Sequence, residues 1–132
     1  MNIKKINDII KIYKSENPII LESKIIKLLE EFPLNHILYN LYGAVLLDQK
    51  KVDLSIIQFK KSININKNYA EAYNNLASAY LKQDDLNESK KNFEKSIKIK
   101  PNFKQPKISL SNIYTFLGNI SLKNSNYSSA II

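Results

Sequence analysis

The chain has 132 residues, 44% hydrophobic and 24% charged, with a net charge of +8 and no cysteine. This composition suits one folded domain and argues against global disorder, while the missing cysteine excludes disulfide frameworks and thiolate metal sites. All 20 basic residues are lysine, so the chain lacks the arginine that reads bases and grips phosphates bidentately, and its charge argues for a solvated surface over a nucleic-acid partner.

The N-terminal stretch MNIKKINDIIKIYK is broken by Asp8, Lys11 and Lys14, too often for the apolar core of a signal peptide. No window approaches the roughly 18 apolar residues of a transmembrane helix, so the expected location is cytoplasmic, with no membrane partner. Residues 2–35 read as a divergent first helix pair: Ile9 and Ile12 on one helix, Ile25 and Leu28 on the other, then Pro33. Within it Asn17-Pro18 is a helix start, asparagine capping and proline at the first helical position.

Residues 36–69 and 70–103 repeat each other at a period of 34. Tyr39, Asn40, Leu47, Gln49, Ser55, Phe59, Lys61, Ser62, Ile63, Ile65 and Asn68 all recur one period later, where composition alone would give roughly three identities. In the second of these units a first helix is predicted at about Ala70 to Gln83. Its apolar residues Tyr73, Leu76, Ala77 and Tyr80 follow the i, i+3, i+4, i+7 spacing of one buried stripe. Asp84 and Asp85 supply a turn and an N-cap. A second helix follows over about Leu86 to Ile99, with Leu86, Ser89, Phe93, Ser96 and Ile97 inward and the serines small where the helices approach. Pro101 ends the unit. In the earlier unit Lys67 stands where this proline is expected, which predicts a less sharply stopped junction.

Residues 104–132 read as an incomplete last unit. Leu110, Ser111 and Tyr114 fit its first helix and Gly118-Asn119 its turn. Tyr127 and Ala130 hold the aromatic and small positions of a Ser- and Asn-rich second helix. Terminal repeats are expected to be atypical, because one face meets water in place of a neighbour.

The pattern of Tyr73, Leu76, Ala77 and Tyr80, then Ser89, Phe93, Ser96 and Pro101, resembles the tetratricopeptide repeat. The preceding unit matches with Tyr39, Tyr42, Gly43 and Leu46, then Ser55, Phe59 and Ser62. The resemblance implies an all-α fold: a solenoid, a right-handed superhelix of antiparallel helix pairs with period 34, built as a single domain over residues 1–132. It also implies a concave groove lined by the first helix of each unit. Carried onto this sequence, the groove residues are Ile37, Asn40, Leu41, Ala44, Leu47 and Asp48, then Glu71, Asn74, Asn75, Ser78, Leu81 and Lys82, then Gln105, Ile108, Ser109 and Asn112. Asparagine both donates and accepts, which suits gripping the main chain of an extended peptide. Asn75 occupies the rung where some superhelical members carry a ladder of asparagines, while Leu41 and Ser109 fill the equivalent rungs here.

No chemistry converges. His36 has no partners at catalytic or metal-ligand spacing. The adjacent Glu30 and Glu31 point apart on a helix, and no glycine-rich phosphate loop is present. The expectation is therefore no enzyme and no cofactor, but a protein–protein interaction module holding an extended peptide or partner helix in its groove. Two alternatives stay open: a recruiting or targeting arm for a transferase-type enzyme whose catalytic part lies elsewhere, and a homo-oligomer through the C-terminal end face, residues 117–132.

Overall fold

The structure, a computed structural model, describes the backbone of residues 3–131 and the side chains of residues 3–119. Its described residues form seven helices and no strand: α1 (Ile3–Ile12), α2 (Pro18–Glu31), α3 (His36–Asp48), α4 (Val52–Ile65), α5 (Ala70–Lys82), α6 (Leu86–Ile99) and α7 (Lys104–Ile131). Each helix packs on the next, α3 on α4 and α5 on α6 most extensively, and α3 also reaches α5. The fold is an all-α solenoid of helix pairs. Phe59 and Phe93 lie one period apart, both completely buried, and each contributes on the order of 2–3 kcal/mol through its buried surface.

Small residues allow the helices of a pair to approach. A Cβ on Gly43 would sit within 3 Å of the Phe59 ring, so α3 presses its backbone against that aromatic. The buried serines replace a methyl with a latch. Ser62 Oγ donates to the His36 carbonyl at 2.7 Å and Ser96 Oγ to the Ala70 carbonyl at 2.8 Å. Each joins the end of a second helix to the start of the first.

The turns within the pairs also repeat. Lys50 and Asp84 have φ of 62° and 59°, the left-handed conformation that commonly ends a helix. Around them the N–H of Lys51 bonds the Leu46 carbonyl and that of Asp85 the Tyr80 carbonyl, which answers carbonyls the helix end leaves open. Asp85 then caps α6, its side chain accepting from Glu88 N–H, as Asn17 caps α2 through Ile19 N–H.

Three expectations change. The junction at Lys67 is as sharp as that at Pro101: α4 stops at Ile65 and α5 starts at Ala70, while α6 stops at Ile99 and α7 starts at Lys104. Asn66 does what proline was expected to do, its side chain accepting from the Asn68 N–H. Tyr80 is only half-buried, at the edge of the Ile56–Phe59–Leu76–Ala79 cluster with the Lys60 ammonium over its ring. Finally, Gly118-Asn119 is not a turn, because α7 runs through it as one helix of 28 residues. Where the side chains of Gln49 and Gln83, at the ends of their helices, reach Glu22 and Asp53, the corresponding residue is Leu117, which packs beside Phe93 and Ile113.

Candidate functional site

The expected groove residues fall on the first helices of the pairs, α3, α5 and α7, and the structure divides them. Leu41 packs against the Ile9–Leu21–Ile25–Val45 cluster, and Ala44 and Leu47 against the cluster around Phe59. These three complete the core. Asp48 accepts from the Tyr13 hydroxyl at 2.7 Å, which joins the turn after α1 to the end of α3. Burial, together with this carboxylate, pushes the Tyr13 pKa well above the usual phenol range. Glu71 pairs with Lys100 at 3.0 Å; both are partly exposed, so the pair adds little stability.

The asparagines interact with each other. Asn40 is buried, and its Oδ1 accepts from Asn75 Nδ2 at 2.9 Å, so the rung asparagine joins α3 to α5. Tyr69 hydrogen-bonds the same Asn40 amide; burial and then Glu71 raise the Tyr69 pKa, and this bond partly offsets them. The edge of the His36–Tyr69 aromatic pair closes the same corner, with ring centroids 4.7 Å apart. His36 Nε2 lies 3.2 Å from Asn66 Nδ2. An amide nitrogen can only donate, so this imidazole nitrogen accepts, and burial lowers the His36 pKa.

One period later the arrangement is incomplete. Asn74 repeats Asn40, but Ser109 replaces Asn75 and Phe103 replaces Tyr69. Asn74 Oδ1 is buried without a partner, one of two such side-chain atoms among the described residues, with Gln58 Oε1. A serine hydroxyl is too short to span the distance that the asparagine amide covers. Ser109→Asn should restore the rung and raise stability by about 0.5–1.5 kcal/mol in a urea melt; unchanged stability would show that α7 is not placed on α5 as α5 is on α3.

A cleft of about 340 Å³ lies between the end of α5 and the middle of α7, lined by Leu81, Asp84, Leu86, Ser109, Asn112, Ile113 and Phe116. Of the expected residues, Leu81, Ser109 and Asn112 meet here; Ser78 and Lys82 lie on the same helix as Leu81 but outside the lining. The Ser78 hydroxyl donates to the Asn74 carbonyl, and Lys82 is exposed. Asp84, Leu86, Ile113 and Phe116 were not anticipated. Phe116, 55% exposed, was within reach: it stands one period after Lys82 and two after Asp48. Extending the groove register by four more residues of α7 finds it. Among the described residues no group of three His, Cys, Asp or Glu side chains could hold a metal ion, and no helix is long and apolar enough to cross a membrane.

The fold recurs in solved structures. The crystal structure of MamA superposes with a TM-score of 0.74 at 21% identity, over 86% of this chain and 68% of that one. The first TPR of Spaghetti (RPAP3), solved bound to an HSP90 peptide, gives 0.79 at 20% identity, over 88% and 92%. A mutant O-GlcNAc transferase of Thermobaculum terrenum gives 0.79 at 12% identity over 83% of this chain, which spans only 21% of that enzyme. At these identities the likeness is one of fold. No curated protein matches the sequence at a significant level. The family profiles described as "Tetratricopeptide repeat" and "TPR repeat" match residues 70–103 and 43–84. With the 34-residue period, the paired helices and the repeated turns, these matches make the chain a tetratricopeptide-repeat protein.

Proposed function

We propose that the chain is a protein–protein interaction module and that it takes its partner, an extended peptide or a helix, at the cleft between α5 and α7. The observation that carries this reading is the convergence of Leu81, Ser109, Asn112, Ile113 and Phe116 on one concavity. Its apolar floor suits an inserted aliphatic or aromatic side chain. Its serine and asparagine suit the flanking main chain, whose N–H and C=O groups need partners once covered. Asn40, Asn75, Leu41, Ala44, Leu47, Asp48 and Glu71 then support the partner's platform from beneath and make no contact with it. Lys60, Lys61, Lys91, Lys95 and Lys98 lie on α4 and α6 and none lines the cleft. The charge is therefore placed to solvate the protein, which weighs against a nucleic-acid partner at this site.

The decisive experiment is peptide display against the purified protein and its Leu81→Asp variant. Leu81 is 36% exposed, so the substitution leaves the core intact, and circular dichroism verifies this. Peptides retained by the parent and lost by the variant support the cleft. Peptides held equally by both place binding elsewhere. The transferase-arm alternative has one observation in its favour, the fold match to part of the Thermobaculum enzyme. Against it, the ladder has a single asparagine, Asn75, already bonded to Asn40.

A further inference from the structure

Gly118 has no packing reason to be glycine. A Cβ there would meet nothing within 4 Å, and its φ is not positive, so in the middle of α7 it only weakens the helix relative to alanine. Its register supplies a reason. Asp84 stands one period earlier and Lys50 two, and these are the non-glycine residues with positive φ among the described residues. Gly118 therefore occupies the position at which the two preceding units turn between their helices, and it is the residue for which that turn is least costly.

A second observation is independent of the glycine. A groove of about 540 Å³ lies open between α6 and the first half of α7, lined by Ile97, Lys107, Leu110, Ser111, Tyr114 and Thr115. One period earlier, Ile63, Tyr73, Leu76 and Tyr80 line the corresponding space, and α6 supplies a further wall with Glu88, Lys91 and Asn92. Where Ala77 is completely buried under α6, Ser111 is exposed; where Tyr80 is half-buried, Tyr114 is 48% exposed. The open groove is the seat of a helix like α6. The residues in register with α6 are 120–131, with Lys123 one period after Ser89, Tyr127 after Phe93 and Ala130 after Ser96. In the structure they continue α7, which has 28 residues against 13 in α3 and in α5, and so extend roughly 20 Å past the body of the solenoid. A straight helix cannot lie against its own first half.

We propose that two copies of this chain exchange the second halves of α7. Each copy lays its residues 120–131 into the other's groove beside Tyr114 and Ile97. The two α7 helices run antiparallel about a two-fold axis that passes near Gly118. The exchange reproduces between copies the contact that α5 and α6 make within one, and it closes on itself as a two-fold interface must.

The test uses the full chain, whose lack of cysteine makes introduced thiols unambiguous. Ser89 Oγ lies 2.9 Å from the Ala77 carbonyl, so the register counterparts at 111 and 123 should come within disulfide range. Ser111→Cys copies mixed with Lys123→Cys copies under mild oxidation should give a cross-linked heterodimer. Light scattering should give a dimer that tightens about fivefold or more in Gly118→Ala, which favours the straight helix. It should loosen by about 100-fold or more in Ile120→Pro, since proline suits the first turn of a folded-back helix but not a helix interior. Circular dichroism verifies that both variants keep their repeats. The proposal is overturned if the Ser111→Cys/Lys123→Cys double variant cross-links within single chains while the mixed copies do not. It is equally overturned by a monomer at every concentration, or by a dimer that neither substitution changes.

Discussion

Replacing Phe93 with alanine should cost about 3–5 kcal/mol, the range for truncating a fully buried aromatic whose surroundings cannot collapse. Phe93 is completely buried, with Ala77 and Ile113 beside it and Leu110 and Leu117 against the same cluster. It is the side chain on which α5, α6 and α7 converge. Its loss should also be local. In a solenoid each unit contacts only its neighbours, so stability is a sum over units and interfaces. Hydrogen exchange should show α6 and α7 losing protection while α3 and α4 keep most of theirs. Urea titration measures the total; a loss under about 1 kcal/mol would mean that Phe93 does not hold these helices together.

Gly43→Ala should destabilise by about 1–3 kcal/mol through overpacking, although alanine is the better helix former. The added methyl would meet three ring atoms of Phe59 at 3.0 Å or less, and Phe59 is itself completely buried, so the ring cannot swing aside. Two opposing effects are thus separable at one position. The same exchange at Gly118, where nothing lies within 4 Å, should show only the favourable helix term. Combining Gly43→Ala with Phe59→Leu should recover part of the loss, because the smaller side chain vacates the space the methyl needs. A double variant whose cost is simply the sum of the two single costs would show that the contact is not the cause.

The parts of the fold that repeat were legible in the sequence, and the parts that join one repeat to the next were not. Tyr39 and Tyr73, Phe59 and Phe93, and Ser62 and Ser96 announce themselves because identical neighbours impose identical sizes at a fixed interval. The Asn40–Asn75 bond connects residues 35 apart and the Gln49–Glu22 bond residues 27 apart, so no single helical face reveals either. Consequently the groove register alone does not mark which of its positions, such as Leu41 and Ala44, pack into the clusters between helices. The continuous α7 was hidden for a different reason. At Gly118 helix and turn differ by little in local preference, and the contact of Leu117 with Phe93 and Ile113 is a tertiary one. Proline at position 101 and lysine at position 67 are the converse case, unlike in sequence and equivalent in structure.

That equivalence bears on how such a protein can change its length. Residues 66–69 and 100–103 connect their helices with the same spacing, although proline stands in one connector and lysine at its place in the other. The boundary between units is therefore set by what the helices bury, and the connector only has to comply. A duplicated stretch such as 70–103 could be inserted after residue 103 by one in-frame event. It would keep the present contacts with residues 36–69 and 104–119 at its outer ends and add one junction, where Asn74 of the first copy would face Asn75 of the second as Asn40 faces Asn75 now; the Ser96 latch travels within it. The length of the array, and with it the length of partner it can span, is then open to selection in whole units, each addition requiring a single new junction.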